Sequence, residues 1–202
     1  MIPIDPCSAV PEDWEQQVST IVKESPILAG LLARWQDIDL PDCWLSGSAL
    51  AQTLWNQTFG FAPDRGVTKI DLVYFDPANT GGGREVRQAK RVRSLFPEIP
   101  IWIDAKNQAR VHFWYKEKFG YTIPPHRSSR AAISTFPTTA SSIGIRPEAG
   151  RLTIFAPFGV ADLLSCTVRP NKTQIIREIY DSEIARWRKV WPGLHIIDWN
   201  ES

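Results

Sequence analysis

The stretch Val67–Phe75, VTKIDLVYF, restricts the possible folds more than any other part of the chain. Its β-branched and aromatic residues suit a pleated, largely buried strand. Alternation sends Lys69, Asp71, Val73 and Phe75 to one face and Ile70, Leu72 and Tyr74 to the other. A strand this apolar needs a sheet around it, and charges on one of its faces mark that face as a site. Pro77 and Gly81-Gly82-Gly83 end the element. The glycine triplet lacks the lysine and hydroxyl of a P-loop, so it reads as a turn.

Around this strand the sequence predicts alternating helices and strands. Glu12–Ile38 has apolar residues at helical spacing (Val18, Ile21, Val22, then Leu28, Leu31, Leu32 and Trp35), and Pro26 divides it into two helices. Leu40–Ser46 reads as a short strand, Gly47-Ser48 as a turn, and Ala49–Thr58 as an apolar helix that the Ser48 hydroxyl can cap. A loop follows over Phe59–Gly66. After the strong strand come a basic helix (Arg84–Phe96), a strand ending at Asp104 (Ile99–Asp104) and a helix (Asn107–Phe119). A short helix over Ser128–Phe136 precedes a hairpin of Ile143–Arg146 and Leu152–Phe155. Another short helix (Phe158–Ser165) and a charged helix (Thr173–Val190, stopped by Pro192-Gly193) complete the pattern. The fold class is α/β (α+β): a mixed sheet flanked by helices, with extra helices at both ends. The expected division is an N-terminal helical segment, 1–39, and a domain over 40–202, forming one compact unit.

Composition removes several classes. The 202 residues suit one domain, and a formal net charge of +1 gives no global reason to bind nucleic acid or an anionic membrane. The N-terminus has no signal-peptide pattern, and the apolar run Ile27–Trp35 is too short to span a bilayer. Cys7, Cys43 and Cys166 match neither a disulfide framework nor a metal knuckle. They read as reduced thiols of a cytoplasmic protein, with Cys43 and Cys166 in the core. No nucleophile elbow, Cys-His pair or dinucleotide fingerprint is present.

Three features carry chemistry together. Gly47-Ser48 opens a helix, where small residues let backbone N–H groups approach a phosphate. Asp71 lies on the strong strand and Asp104 ends the next one. Carboxylates on adjacent strands can converge on Mg²⁺, and two such ions can align a phosphoryl or nucleotidyl transfer. Asp76 is a further candidate metal ligand if the strand has ended by then, as Pro77 suggests. Lys106 and Arg110 could hold phosphates; for Arg110 a structural role is equally open. Asn107 could cap the helix that follows it, and Arg169-Pro170-Asn171 could be a turn or a ligand contact. Arg84, Arg87, Lys90, Arg91 and Arg93 could track RNA, although near-zero net charge favours a solvated helix face.

The segments LPDCWLSGSALAQTLW (40–55), IDLVYFDP (70–77), DAKNQARVHFWY (104–115), TTASSIGIR (138–146), IFAPFGVADLL (154–164), VRPN (168–171) and WRKVWP (187–192) together resemble a bacterial nucleotidyltransferase-like family. The resemblance implies the nucleotidyltransferase fold and Mg²⁺-dependent transfer of a nucleotidyl group from an NTP to an unknown acceptor. Gly47 and Ser48 would hold the triphosphate, and Asp71 and Asp104 would be metal ligands. The chain departs from the family pattern at one decisive place: Asp-Ile-Asp is replaced by Lys69-Ile70-Asp71. An ammonium has only donors and cannot ligate Mg²⁺. Lys69 is therefore expected to pair with Asp71, and with Asp104, in place of a cation. The alternative to an enzyme is a pseudoenzyme that binds a nucleotide or a partner in the same pocket.

Overall fold

A computed structural model of the protein describes residues 9–201, which leaves Cys7 outside. Five strands form the main sheet: β1 (Trp44–Ser46), β2 (Lys69–Tyr74), β3 (Trp102–Asn107), β4 (Gly144–Glu148) and β5 (Arg151–Phe155). Their order is β3-β2-β1-β4-β5. β2 and β3 run parallel, while β1 is antiparallel to both β2 and β4, so the sheet is mixed. The expected hairpin is β4–β5. A small parallel pair, β6 (Thr167–Val168) with β7 (His195–Ile196), has no counterpart in the sequence reading. Two-residue strands carry too little alternation to be recognised from sequence.

The helices are α1 (Trp14–Glu24), α2 (Ala29–Ala33), α3 (Trp35–Ile38), α4 (Ser48–Phe59), α5 (Gly82–Leu95), α6 (Val111–Phe119), α7 (Ser129–Ile133), α8 (Ala161–Leu164) and α9 (Arg177–Val190). The N-terminal stretch breaks just before Pro26, as expected. Its second half divides again at Arg34, giving three helices where two were expected. Val18, Val22, Leu28 and Leu31 of these helices share one buried cluster with Ile70, Leu72 and Ile103 of the sheet.

α4 is central. Every residue from Ala49 to Asn56 is buried, and the helix stops at Gly60, whose positive φ lets its N–H turn back to the last carbonyls. The Trp55 ring packs edge-on against Trp187 and Trp191, with centroids 5.2 and 5.6 Å away. Asn56, fully buried, accepts from the Trp191 indole at 2.7 Å and donates to the carbonyls of Pro63 and Arg65. The tryptophan-rich composition is thus partly a core that ties α4 to the end of α9. Cys43 and Cys166 are buried free thiols, as expected.

The basic helix α5 is less available than its sequence suggests. The Arg91 guanidinium donates to the Ile38 carbonyl, and to that of Asp37 at 3.2 Å, at the end of α3. Arg93 donates to the Ile103 carbonyl and lies 3.5 Å from the centre of the Trp102 ring. Two of the five basic groups are thereby engaged in holding elements together. Among the described residues no helix is long and apolar enough to cross a membrane.

Candidate active site

β2 and β3 set up the site by register. Lys69 pairs with Trp102, Asp71 with Asp104, and Val73 with Lys106. Alternation puts all six on the face opposite Ile70, Leu72, Ile103 and Ala105, which are buried. Asp104 was expected at the end of its strand. The strand continues to Asn107, so Asp104 is mid-strand beside Asp71, and Lys106 shares its face.

At the end of β1 the chain turns sharply. Ser46 Oγ and the Gly47 N–H both donate to the Ile143 carbonyl, at 2.6 and 3.2 Å. Gly47 has φ 84° and ψ −155°, a conformation essentially restricted to glycine. Gly47, and not Ser48, is the cap residue of α4. Ser48 is the first helical residue and its hydroxyl makes no capping bond. The backbone enters the helix directly from the turn, which leaves the hydroxyl free to face outward. A Cβ on Gly47 would lie 3.4 Å from the Phe136 ring and 3.9 Å from Asp71 Oδ2. The Gly-Ser turn and the carboxylate therefore face each other at short range.

Between them lies a cavity of about 310 Å³, lined at its base by Gly47, Ser48, Gln52, Lys69, Asp71 and Lys106. Trp114 and Tyr115 of α6 and Glu183, Arg186 and Trp187 of α9 form its walls. Phe136 and Pro137 close another side. The segment carrying them is held by Asn171, whose amide donates to the carbonyls of Ser134 and Phe136 at 2.8 and 2.9 Å. Arg169 pairs with Asp162 at 3.0 Å, and Asp162 also accepts from Thr139. The motifs TTASSIGIR, APFGVADLL and VRPN are thus bound to one another and form a frame for the cavity.

The charges in the cleft are paired. Lys69 Nζ is 2.7 Å from Asp71 Oδ1. Lys106 Nζ is 3.7 Å from Asp104 Oδ2 and 3.9 Å from Glu85 Oε1. Arg186 donates to Glu183 at 2.6 Å. Burial pulls the Lys69 ammonium toward a lower pKa, but the Asp71 carboxylate, with Asp104 and Glu183, outweighs it and raises the value above the ordinary 10.5. Burial raises Asp71 above its ordinary 3.8 despite the opposing pull of Lys69, and Asp104 adds to the rise.

Two of the sequence candidates lie elsewhere. The Asp76 carboxylate accepts both oxygens' bonds from the Asn79 amide in the turn after β2, and its backbone is tied to Asn107. Arg110 pairs with the buried Glu85 at 2.7 Å and donates to the Thr80 carbonyl. A Cβ on Gly82 would lie 2.8 Å from its guanidinium, so Arg110 covers the start of α5. Asn107 does cap, accepting from the Ala109 N–H. Gln52, Glu183 and Arg186 were not singled out from sequence. Gln52 is one turn beyond Ser48 on the same ridge of α4, so helical spacing could have found it. No local signal links α9 to β2.

A family model described as nucleotidyltransferase matches residues 33–196. The chain belongs to the nucleotidyltransferase family. A solved NMR structure described as a CCA-adding enzyme head domain has the same fold, with a TM-score of 0.76 and 25% sequence identity over 91% of this chain and 95% of that one. No curated protein matches. The mixed sheet with its flanking helices is accordingly the nucleotidyltransferase head-domain fold.

Nucleotidyltransferases generally work with a divalent metal, so the donor set in this cleft can be tested against that requirement. Two carboxylates remain side by side, Asp71 and Asp104, and each has an ammonium partner. Among the described residues there is no group of three or more His, Cys, Asp or Glu side chains able to hold a metal ion. Beside them Lys69 supplies a donor-only cation. This set does not fit a two-ion site: its negative charge is already neutralised from within.

Proposed function

We propose that this nucleotidyltransferase-family protein binds the phosphates of a nucleotide in its cleft through lysine ammoniums and the start of α4, in place of metal ions, and has lost efficient two-metal transfer. The observation that carries the reading is the 2.7 Å contact between Lys69 Nζ and Asp71 Oδ1. Neutralising Asp71 is the work a bound cation would otherwise do, and the ammonium does it with no ion-binding step. The ammonium is also half exposed toward the cavity, so it can pair with a phosphate oxygen without leaving Asp71. The first turn of α4, beginning at Ser48, brings unpaired backbone N–H groups to the same space.

A second reading rests on the direct pairing of Asp71 with Asp104. These two carboxylates could hold one Mg²⁺ if Lys69 swung away, and metal-dependent nucleotidyl transfer from an NTP to an unknown acceptor would then survive. A thermal-shift panel of the four NTPs in EDTA, repeated with Mg²⁺ or Mn²⁺, separates the two. Stabilisation already complete in EDTA supports ammonium-mediated binding. Stabilisation that requires metal supports the second reading. No response to any NTP in either condition refutes both.

A further inference from the structure

Gln52 occupies a position that packing alone does not account for. It is only 4% exposed, and its side-chain amide, which bonds to none of the described residues, opens onto the cleft that it lines. An amide that opens onto a cleft and bonds to nothing within the protein is left to water or to a ligand. The residue lies one turn beyond Ser48 on the same ridge of a twelve-residue helix. Helical side chains lean back toward the N-terminus, which directs this side chain toward the turn that begins α4. Lys69 lines the same cavity on the β2 side. The donors available there are the amide of Gln52, the Ser48 hydroxyl, the first N–H groups of α4 and the Lys69 ammonium.

We infer that Gln52 is a ligand-binding residue: its amide N–H₂ donates to the terminal phosphate of the nucleotide, together with Ser48 and the start of α4, and the cleft thereby selects oligophosphate-bearing nucleotides over monophosphates without a metal. The inference rests on the reading that the cleft binds nucleotides through its own cations, and it adds the residue that contacts the terminal phosphate. A neutral donor suits this position. Lys69, Lys106 and Arg186 are already paired with Asp71, Asp104 and Glu183, so an additional carboxylate here would repel phosphate directly.

The test is calorimetric titration in EDTA of ATP, AMP and inorganic tripolyphosphate into the wild type, Gln52→Met and Gln52→Glu, with melting temperatures of the free proteins alongside. Wild type is expected to bind ATP and tripolyphosphate more tightly than AMP. Gln52→Met, which keeps the volume and breaks no hydrogen bond within the described residues, is expected to melt no lower than wild type. It should weaken ATP and tripolyphosphate roughly tenfold, the loss expected for one hydrogen bond to a charged group, and leave AMP unchanged. Gln52→Glu is expected to weaken both further. Unchanged ATP and tripolyphosphate affinity in both variants overturns the inference and leaves the parent reading standing. So does a loss that falls equally on AMP, or one that spares tripolyphosphate and alters only preference among bases. A Gln52→Met protein that melts lower but binds normally marks a structural residue and likewise overturns it. Failure of the wild type to bind any of the three in EDTA overturns the parent reading and this inference together.

Discussion

Replacing Lys69 with aspartate is the most informative perturbation of the cleft, because it exchanges the ammonium paired with Asp71 for a group able to ligate a metal. It removes the 2.7 Å contact with Asp71 and puts a second carboxylate two residues away on the same strand face. A hydrogen bond to a charged group contributes about 1.5–3 kcal/mol when well shielded and an exposed ion pair under about 1. Lys69 is 47% exposed and Asp71 21%, so the pair lies between these limits. Adding the new repulsion, we expect a loss of about 2 kcal/mol in EDTA. For a chain of this length that corresponds to a fall in Tm of roughly 4–8 °C. The variant should then respond to divalent metal in a way the wild type does not. Magnesium at about one hundred times its Kd contributes about 2.7 kcal/mol to the native state, enough to offset the loss. Scanning fluorimetry or calorimetry in EDTA and across a magnesium series measures both effects. A Lys69→Asp protein that melts with wild type in EDTA and ignores magnesium would refute the claim that the ammonium stands in for a cation.

Three further outcomes follow from individual contacts. Gly47→Ala forces a side chain into a backbone region essentially restricted to glycine, costing about 1–3 kcal/mol, and its Cβ would crowd Phe136 and approach Asp71; urea denaturation should register the loss and nucleotide titration a weaker ligand. Asn56→Ala strips the partner from the buried Trp191 indole and from two carbonyls, so chemical denaturation should show a loss of about 3 kcal/mol. His126 has its pKa lowered from 6.5 by burial and by His112, so the unfolded chain takes up a proton more readily than the fold. Stability should therefore decline as pH falls below 6.5, and His126→Gln should flatten that decline in pH-dependent melting.

The sequence by itself determined the parts of this protein that depend on local periodicity. Alternation along VTKIDLVYF assigns β2 its two faces and puts Lys69 beside Asp71 on one of them, which is how the structure has them. Gly47-Ser48 before an apolar run indicates a tight turn into a helix, and Asn107 a cap, because each is an affair of a few neighbouring residues. Tertiary structure decided which charged groups reach the cleft. Asp76 and Arg110 have suitable chemistry but are diverted to Asn79 and Glu85, partners that only the packing of β2, β3 and α5 brings near. Glu183 and Arg186 reach the cavity wall because α9 packs across it through Trp187, whose ring meets Trp55 of α4. Nothing within several residues of Lys69 encodes that approach. A side chain's direction along one element is set by backbone geometry, whereas its partner on another element is set by how the buried surfaces of both fit together.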